Sequence, residues 1–450
     1  MNMKIKRIFA LVMTMLLLVP SLAMAHDGED HKSPVDSPAA DLRATFGELL
    51  AEHFEFQVLT SIKQYEDAPD AKVAQEMLEQ NAGEMKAAIK SIYGQEGADQ
   101  FAEIFASQYE DSANLGSAVM NKDADQEKQV KQSLLQDFPK ELGAFLDTAT
   151  EGNLPAATAE KVLNAHEQDV IDVFNAYING DYETAYDTFD EGYKRMYTIG
   201  TALSQAIVKQ MPEKFDNTKV ITPASDLRVT FNQLLGIHYS YQTLTSLKQY
   251  QGAEDAGIVT DKLEQNAMEM KEAVKSIYGE EGANQFAEIF SSQYDDSANL
   301  GTAVMNNNAD EEAQVKQALT QDFPKELGTF LDAATEGNLP ADTAEQVLMA
   351  HEQDVIDVFT AYIGEDYETA YQTYDEGFKR MSMIGTALSG AIATQMPDKF
   401  GATEMPEGMP HTGMGGTAEQ SNTSTWMIAS FVIVAAGAGI VLYRRKSMAK

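Results

Sequence analysis

His53 and His166 in the first half of the chain, with His238 and His351 in the second, are the residues with most chemistry to offer. Each falls on the apolar face of a helical pattern. His53 lies four residues after Leu49, and His166 lies three after Leu163 and four before Val170. If the two helices face each other, the imidazoles converge inside a bundle. Asp169 stands one turn after His166, placed to orient it or to act as a third ligand, and Asp354 is placed likewise for His351. Met196 and Met381 lie on the aromatic-rich face of a further helix and offer a thioether. A His/His/Met set suits copper, whereas a His/His/carboxylate set suits iron or zinc. Either requires the imidazole nitrogens of a pair to approach within about 4 Å. The competing and favoured reading is a buried histidine hydrogen-bonded to a neighbour, because buried polar groups need partners. A site shared by both halves does not extend to Glu52, whose counterpart is Ile237.

Motifs with sharper chemical meaning are missing. No Glu-x-x-His occurs, so the carboxylate-bridged di-iron bundle has no signature. His166-Glu167-Gln168-Asp169 is not the His-Glu-x-x-His of a zincin. There is no Gly-x-Ser-x-Gly elbow, no phosphate-binding glycine loop and no cysteine to act as a nucleophile. The balance leans away from an enzyme. His26-Asp27-Gly28-Glu29-Asp30-His31 would chelate copper through a free amine and His26, but reads more plainly as part of an acidic tail over 26–40.

The elements that position these residues are helices, and they come twice. His53 and His238 differ by 185 positions, as do Asn81 and Asn266, His166 and His351, and Met196 and Met381. Residues 101–120 and 286–305 agree at 17 of 20 positions. This predicts an all-α fold of two tandem antiparallel helical bundles, 41–215 and 225–400, set as two beads on a linker over 216–224. Helices are expected over roughly 40–66, 70–93, 95–121, 123–149, 155–179 and 181–211, with breaks at Asp67-Ala68-Pro69, Gly94, Asn121, Gly152-Asn153-Leu154-Pro155 and Gly180. No alternating stretch predicts a sheet.

The two ends read as export and retention signals. Lys4, Lys6 and Arg7 precede an apolar run, and Ala23-Met24-Ala25 is a small-x-small cleavage site, so 1–25 is expected to be a signal peptide. Residues 426–443 are apolar over a span near the hydrocarbon thickness, with Trp426 and Tyr443 at its edges, and predict a transmembrane helix. Arg444, Arg445 and Lys446 open a basic tail, 444–450, that stays cytoplasmic. The bulk of the chain is then extracytoplasmic, with its N-terminus outside. Having no cysteine, it must be stable by core packing alone. A formal charge of −37 argues against nucleic acid and anionic polymers as partners, and acidic solvated helix faces account for it most simply.

Met409-Pro410-His411-Thr412-Gly413, in the linker 401–425, resembles the Leu-Pro-x-Thr-Gly motif of sortase-anchored surface proteins of Gram-positive bacteria. Motif, apolar span and basic tail follow in the order of that family. The resemblance implies sortase and peptidoglycan as partners, with cleavage after Thr412; a permanent membrane anchor is the alternative. The repeat resembles an exported helical domain of Bacillus-like bacteria often labelled copper amine oxidase-like. It does so from Asp41-Leu42-Arg43 through Ala185-Tyr186 to Ala206-Ile207-Val208-Lys209-Gln210-Met211-Pro212. Gln108 and Arg195 stand where that domain can carry histidine. The copper amine oxidase cofactor comes from a tyrosine in Thr-x-x-Asn-Tyr, and no Asn-Tyr pair occurs here. Two functions follow as expectations. The first is a surface-displayed, non-enzymatic binding or structural protein. The alternative is a copper- or iron-binding redox protein with one histidine site per repeat.

Overall fold

The computed structural model describes residues 33–401, and every regular element among them is helical. The first set comprises α1 (Pro38–Tyr65), α2 (Ala71–Met120), α3 (Ala124–Gln132), α4 (Phe138–Ala149), α5 (Ala156–Ile178) and α6 (Tyr182–Gln210). The second set comprises α7 (Pro223–Gln251), α8 (Ala256–Met305), α9 (Ala309–Gln317), α10 (Phe323–Ala334), α11 (Ala341–Ile363) and α12 (Tyr367–Gln395), followed by the short α13 (Pro397–Phe400). Their bounds repeat those of the first set at an offset of 185 positions to within one residue. The expected signal peptide, sorting motif, transmembrane helix and basic tail lie outside the described residues. Among those described, no helix is long and apolar enough to cross a membrane.

Local chemistry explains the helix ends. Ser37 caps α1 by accepting from the Ala40 backbone N–H, and Thr222 and Ser225 form a reciprocal capping box on α7. The expected break at Gly94 is a kink within α2. Gly94 has φ +79°, a conformation that glycine adopts without a Cβ penalty, and Gly279 repeats it at φ +77°. The helix expected over 123–149 is instead two, joined by a π-helical turn over Ser133–Asp137. Pro139 has no N–H to offer the carbonyl four residues back. That carbonyl, on Leu135, accepts from the Asn164 side chain instead.

Packing departs from the beads expectation. α1 lies against α2 and α6 in the first half, and α7 against α8 and α12 in the second. One apolar cluster continues across the two halves, joining Phe54, Tyr193 and Met196 to Tyr239, Phe378 and Met381. The contacts between halves are reciprocal. Arg43 pairs with Asp226, and its counterpart Arg228 pairs with Asp41, the counterpart of Asp226. Lys63 and Asp70 meet Tyr362 and Tyr371, while Lys248 and Asp255 meet Tyr177 and Tyr186. The segment 216–224 is therefore not a spacer between separate bodies. Val220 within it is buried, as is Phe215 just before it.

Candidate functional site

α1 and α5 bring His53 and His166 together. Their ring centroids are 6.0 Å apart, and those of His238 and His351 are also 6.0 Å apart. All four are buried. Apolar and aromatic side chains surround them, and the polar groups within reach are mostly amides. Gln108, on α2, places its Nε2 3.0 Å from Nε2 of His53 and donates to Oε1 of Glu167 at 3.1 Å. Gln57 donates to the other Glu167 oxygen at 2.8 Å. The second half repeats this through Gln293, Gln242 and Glu352. There Nδ1 of His238 lies 3.1 Å from the Asn266 carbonyl oxygen. That oxygen only accepts, so Nδ1 carries the proton and Nε2 accepts from Gln293. In the first half Asn81 also donates to Glu52, at 2.9 Å, and His53 Nδ1 is without a hydrogen bond.

Burial decides the charge of every member. It pushes His53 and His238 down to about 4, with the asparagine contacts opposing it. His166 and His351 are also held well below the ordinary imidazole range, by burial first and then by the neighbouring histidine and arginine. Glu167 and Glu352 are pushed up to about 8, against the glutamine hydrogen bonds. The interior polar groups are thus neutral at pH 7, as low-dielectric surroundings require of groups that lack an opposite charge.

The structure separates one residue of each half from the expected constellation. Asp169 ion-pairs with Arg195 on α6, and Asp354 with Arg380 on α12. Nor do the two histidines and a carboxylate form a ligand group in either half. Among the described residues the one set of three His, Cys, Asp or Glu side chains within 4.8 Å of one another is Glu52, Glu84 and Asp375. Lys379 already serves it as a cation, with Nζ 2.7 Å from both Glu84 and Asp375. Met196, by contrast, joins His53 and His166 in lining one apolar cavity of about 50 Å³. His166 has no hydrogen-bond partner at Nδ1, and its Nε2 lies 3.6 Å from Glu167.

Glu167 and Gln57 are the members that the sequence analysis passed over. Glu167 was legible, because it shares the i, i+3, i+4, i+7 face of Leu163, His166 and Val170. Gln57 follows His53 by four residues on the buried face of α1. The sorting-motif residues 409–413 and the histidines His26 and His31 lie outside the described residues. No protein-family model, curated protein or solved structure matches the chain.

Proposed function

We propose that this is an exported, non-enzymatic helical binding or structural protein, displayed at the cell wall or membrane by its C-terminus. The observation that carries the binding reading is the commitment of its reactive groups. Asp169 is neutralised by Arg195, Glu167 is held by Gln57 and Gln108, and Nε2 of His53 is taken by Gln108. A small apolar cavity remains beside them. Such a cavity with few polar groups suits holding a ligand more than transforming one. Display rests on the signal-like start and the sorting-like end of the sequence. The test is fractionation of producing cells into wall, membrane and medium. Wall-linked protein that shifts to the membrane on Thr412→Ala supports sortase attachment. Protein retained in the cytoplasm would end the reading.

The metal alternative keeps one supporting observation. His166 is neutral, has a nitrogen without a partner, and shares the cavity lining with Met196. Imidazole with thioether favours copper over iron. Copper content of the full chain, against a chain with His53, His166, His238 and His351 changed to Ala, decides it. One ion per half, lost in the folded variant, is the required result.

A further inference from the structure

We propose that Glu55, set where the two halves meet, is a proton-operated catch: protonated, it closes the contact of α1 with α7 and α12, and ionised, it lets that contact open. A catch of this kind operates whether or not a ligand is bound, and so goes beyond the binding reading above.

At the offset of 185 positions the counterpart of Glu55 is Ser240, so a residue here meets its own counterpart. Ser240 Oγ lies 2.5 Å from Oε1 of Glu55, Tyr374 Oη lies 2.8 Å from Oε2, and Tyr374 Oη and Ser240 Oγ are 2.8 Å apart. These contacts close a ring of three, and each needs one hydrogen. The two hydroxyls supply two. The third comes from the carboxyl: protonated Glu55 donates to Ser240, Ser240 to Tyr374, and Tyr374 back to Glu55. An ionised Glu55 leaves one of the contacts between lone pairs. The Gly236 carbonyl, 3.2 Å from Ser240 Oγ, is a further acceptor and deepens the shortage of hydrogens. Tyr374 has Phe189 as its counterpart, so the ring is built once.

No cation offsets the ionised form. Glu55 is 7 % exposed. The titratable groups that face it are tyrosines: Tyr193 and Tyr197 of α6, Tyr241 of α7 and Tyr374 of α12, each pushed up and so neutral. Neither α2 nor α5 sets a charged group on it. Along α1, Glu52 is likewise held neutral, by burial and then by Asp375. The lysines of the contact between halves are committed, Lys379 to Glu84 and Asp375, and Lys262 to Asp187 and Asp190. Burial accordingly pushes Glu55 up to about 7 from an ordinary 4.5, against the hydrogen bonds with Ser240 and Tyr374. Its support for the closed contact is complete below 4.5 and is lost as pH rises through 7. Between pH 6 and pH 8.5, the equilibrium for any opening that wets Glu55 shifts by about tenfold towards the open form.

The test is hydrogen exchange of the full chain in lipid nanodiscs at about pH 6 and pH 8.5, corrected for the intrinsic pH dependence of amide exchange, beside Glu55→Gln. The glutamine amide donates and accepts at every pH, so it keeps the ring closed. The protection of the native chain relative to the variant is expected to fall about tenfold between the two pH values in α1, α7 and α12. It should hold steady in α4 and α10, which pack within their own halves. A ratio that does not change with pH would overturn the catch. So would an equal fall in α4 and α10, because Glu55 would then serve overall stability alone. A carbon-13 titration of the Glu55 carboxyl in the native chain requires no variant to fold. A midpoint near 7 is expected there, and one near 4.5 would sink the proposal.

Discussion

Glu167 and His166 are adjacent on α5, yet burial moves them in opposite directions. Both are driven to the neutral form, which raises a carboxyl and lowers an imidazole. The consequence for stability has a definite sign. Glu167 and Glu352 hold protons in the folded chain up to about pH 8 that the unfolded chain releases near 4.5. Their contribution is complete below 4.5 and is lost as pH rises through 8. His53 and His238, at about 4 against an ordinary 6.5, contribute stability above 6.5 that is lost as pH falls through 4. Between pH 6.5 and 8.5 only the glutamates operate among these groups, so the urea midpoint should fall across that window. Glu167→Gln with Glu352→Gln copies the protonated shape and should flatten the fall. An unchanged slope in the double variant would show that these carboxyls are not its source.

At the scale of elements, two glycines do different work. Gly94 has a positive φ with ψ −174°, a region nearly confined to glycine, but a Cβ there would meet nothing within 4 Å, so Gly94→Ala pays only for backbone strain, about 1–3 kcal/mol. Gly116 lies in regular helix where α2 crosses α1, and a Cβ would fall 2.2 Å from the Ser61 carbonyl oxygen. That closeness is backbone, so it can be relieved only by separating the helices. Gly116→Ala should cost about 3 kcal/mol or more, at the upper end for overpacking. Thermal unfolding of both variants checks the order, and a milder effect at Gly116 would refute the account. The break at Gly94 was legible because glycine interrupts an apolar period. The tight crossing at Gly116 was not, because nothing local to residue 116 states that Ser61 will lie against it.

For the whole molecule, the reciprocal arginine contacts separate burial from mere pairing. The side chains of Arg43 and Asp226 are 2 % and 11 % exposed, whereas Asp41, partner of Arg228, is 53 % exposed. Arg43→Ala strands a carboxylate in the contact between halves and should cost about 3–5 kcal/mol. In Arg228→Ala the carboxylate is left in solvent, and the lost ion pair should cost under about 1 kcal/mol. Because one apolar cluster crosses between the halves, the Arg43 variant should still unfold in a single transition at a lower urea midpoint, with probes in either half coinciding. Two separated transitions would mean that the halves are independently stable.

The sequence alone determined the helical periods, their punctuation by Gly and Pro, the offset of 185 positions and the inward setting of His53 and His166. These depend on residues within a turn or two of one another, or on comparing the chain with itself. Only the tertiary structure decided that Asp169 goes to Arg195 and away from the imidazoles, that glutamine amides enclose Glu167, and that the halves share an apolar cluster. Asp169 sits one turn from His166 whatever the fold, but its partner stands on the next helix, 26 residues on. Arg43 and Asp226 are 183 residues apart. A local period says which side of a helix turns inward; it does not say which other helix will be there to meet it.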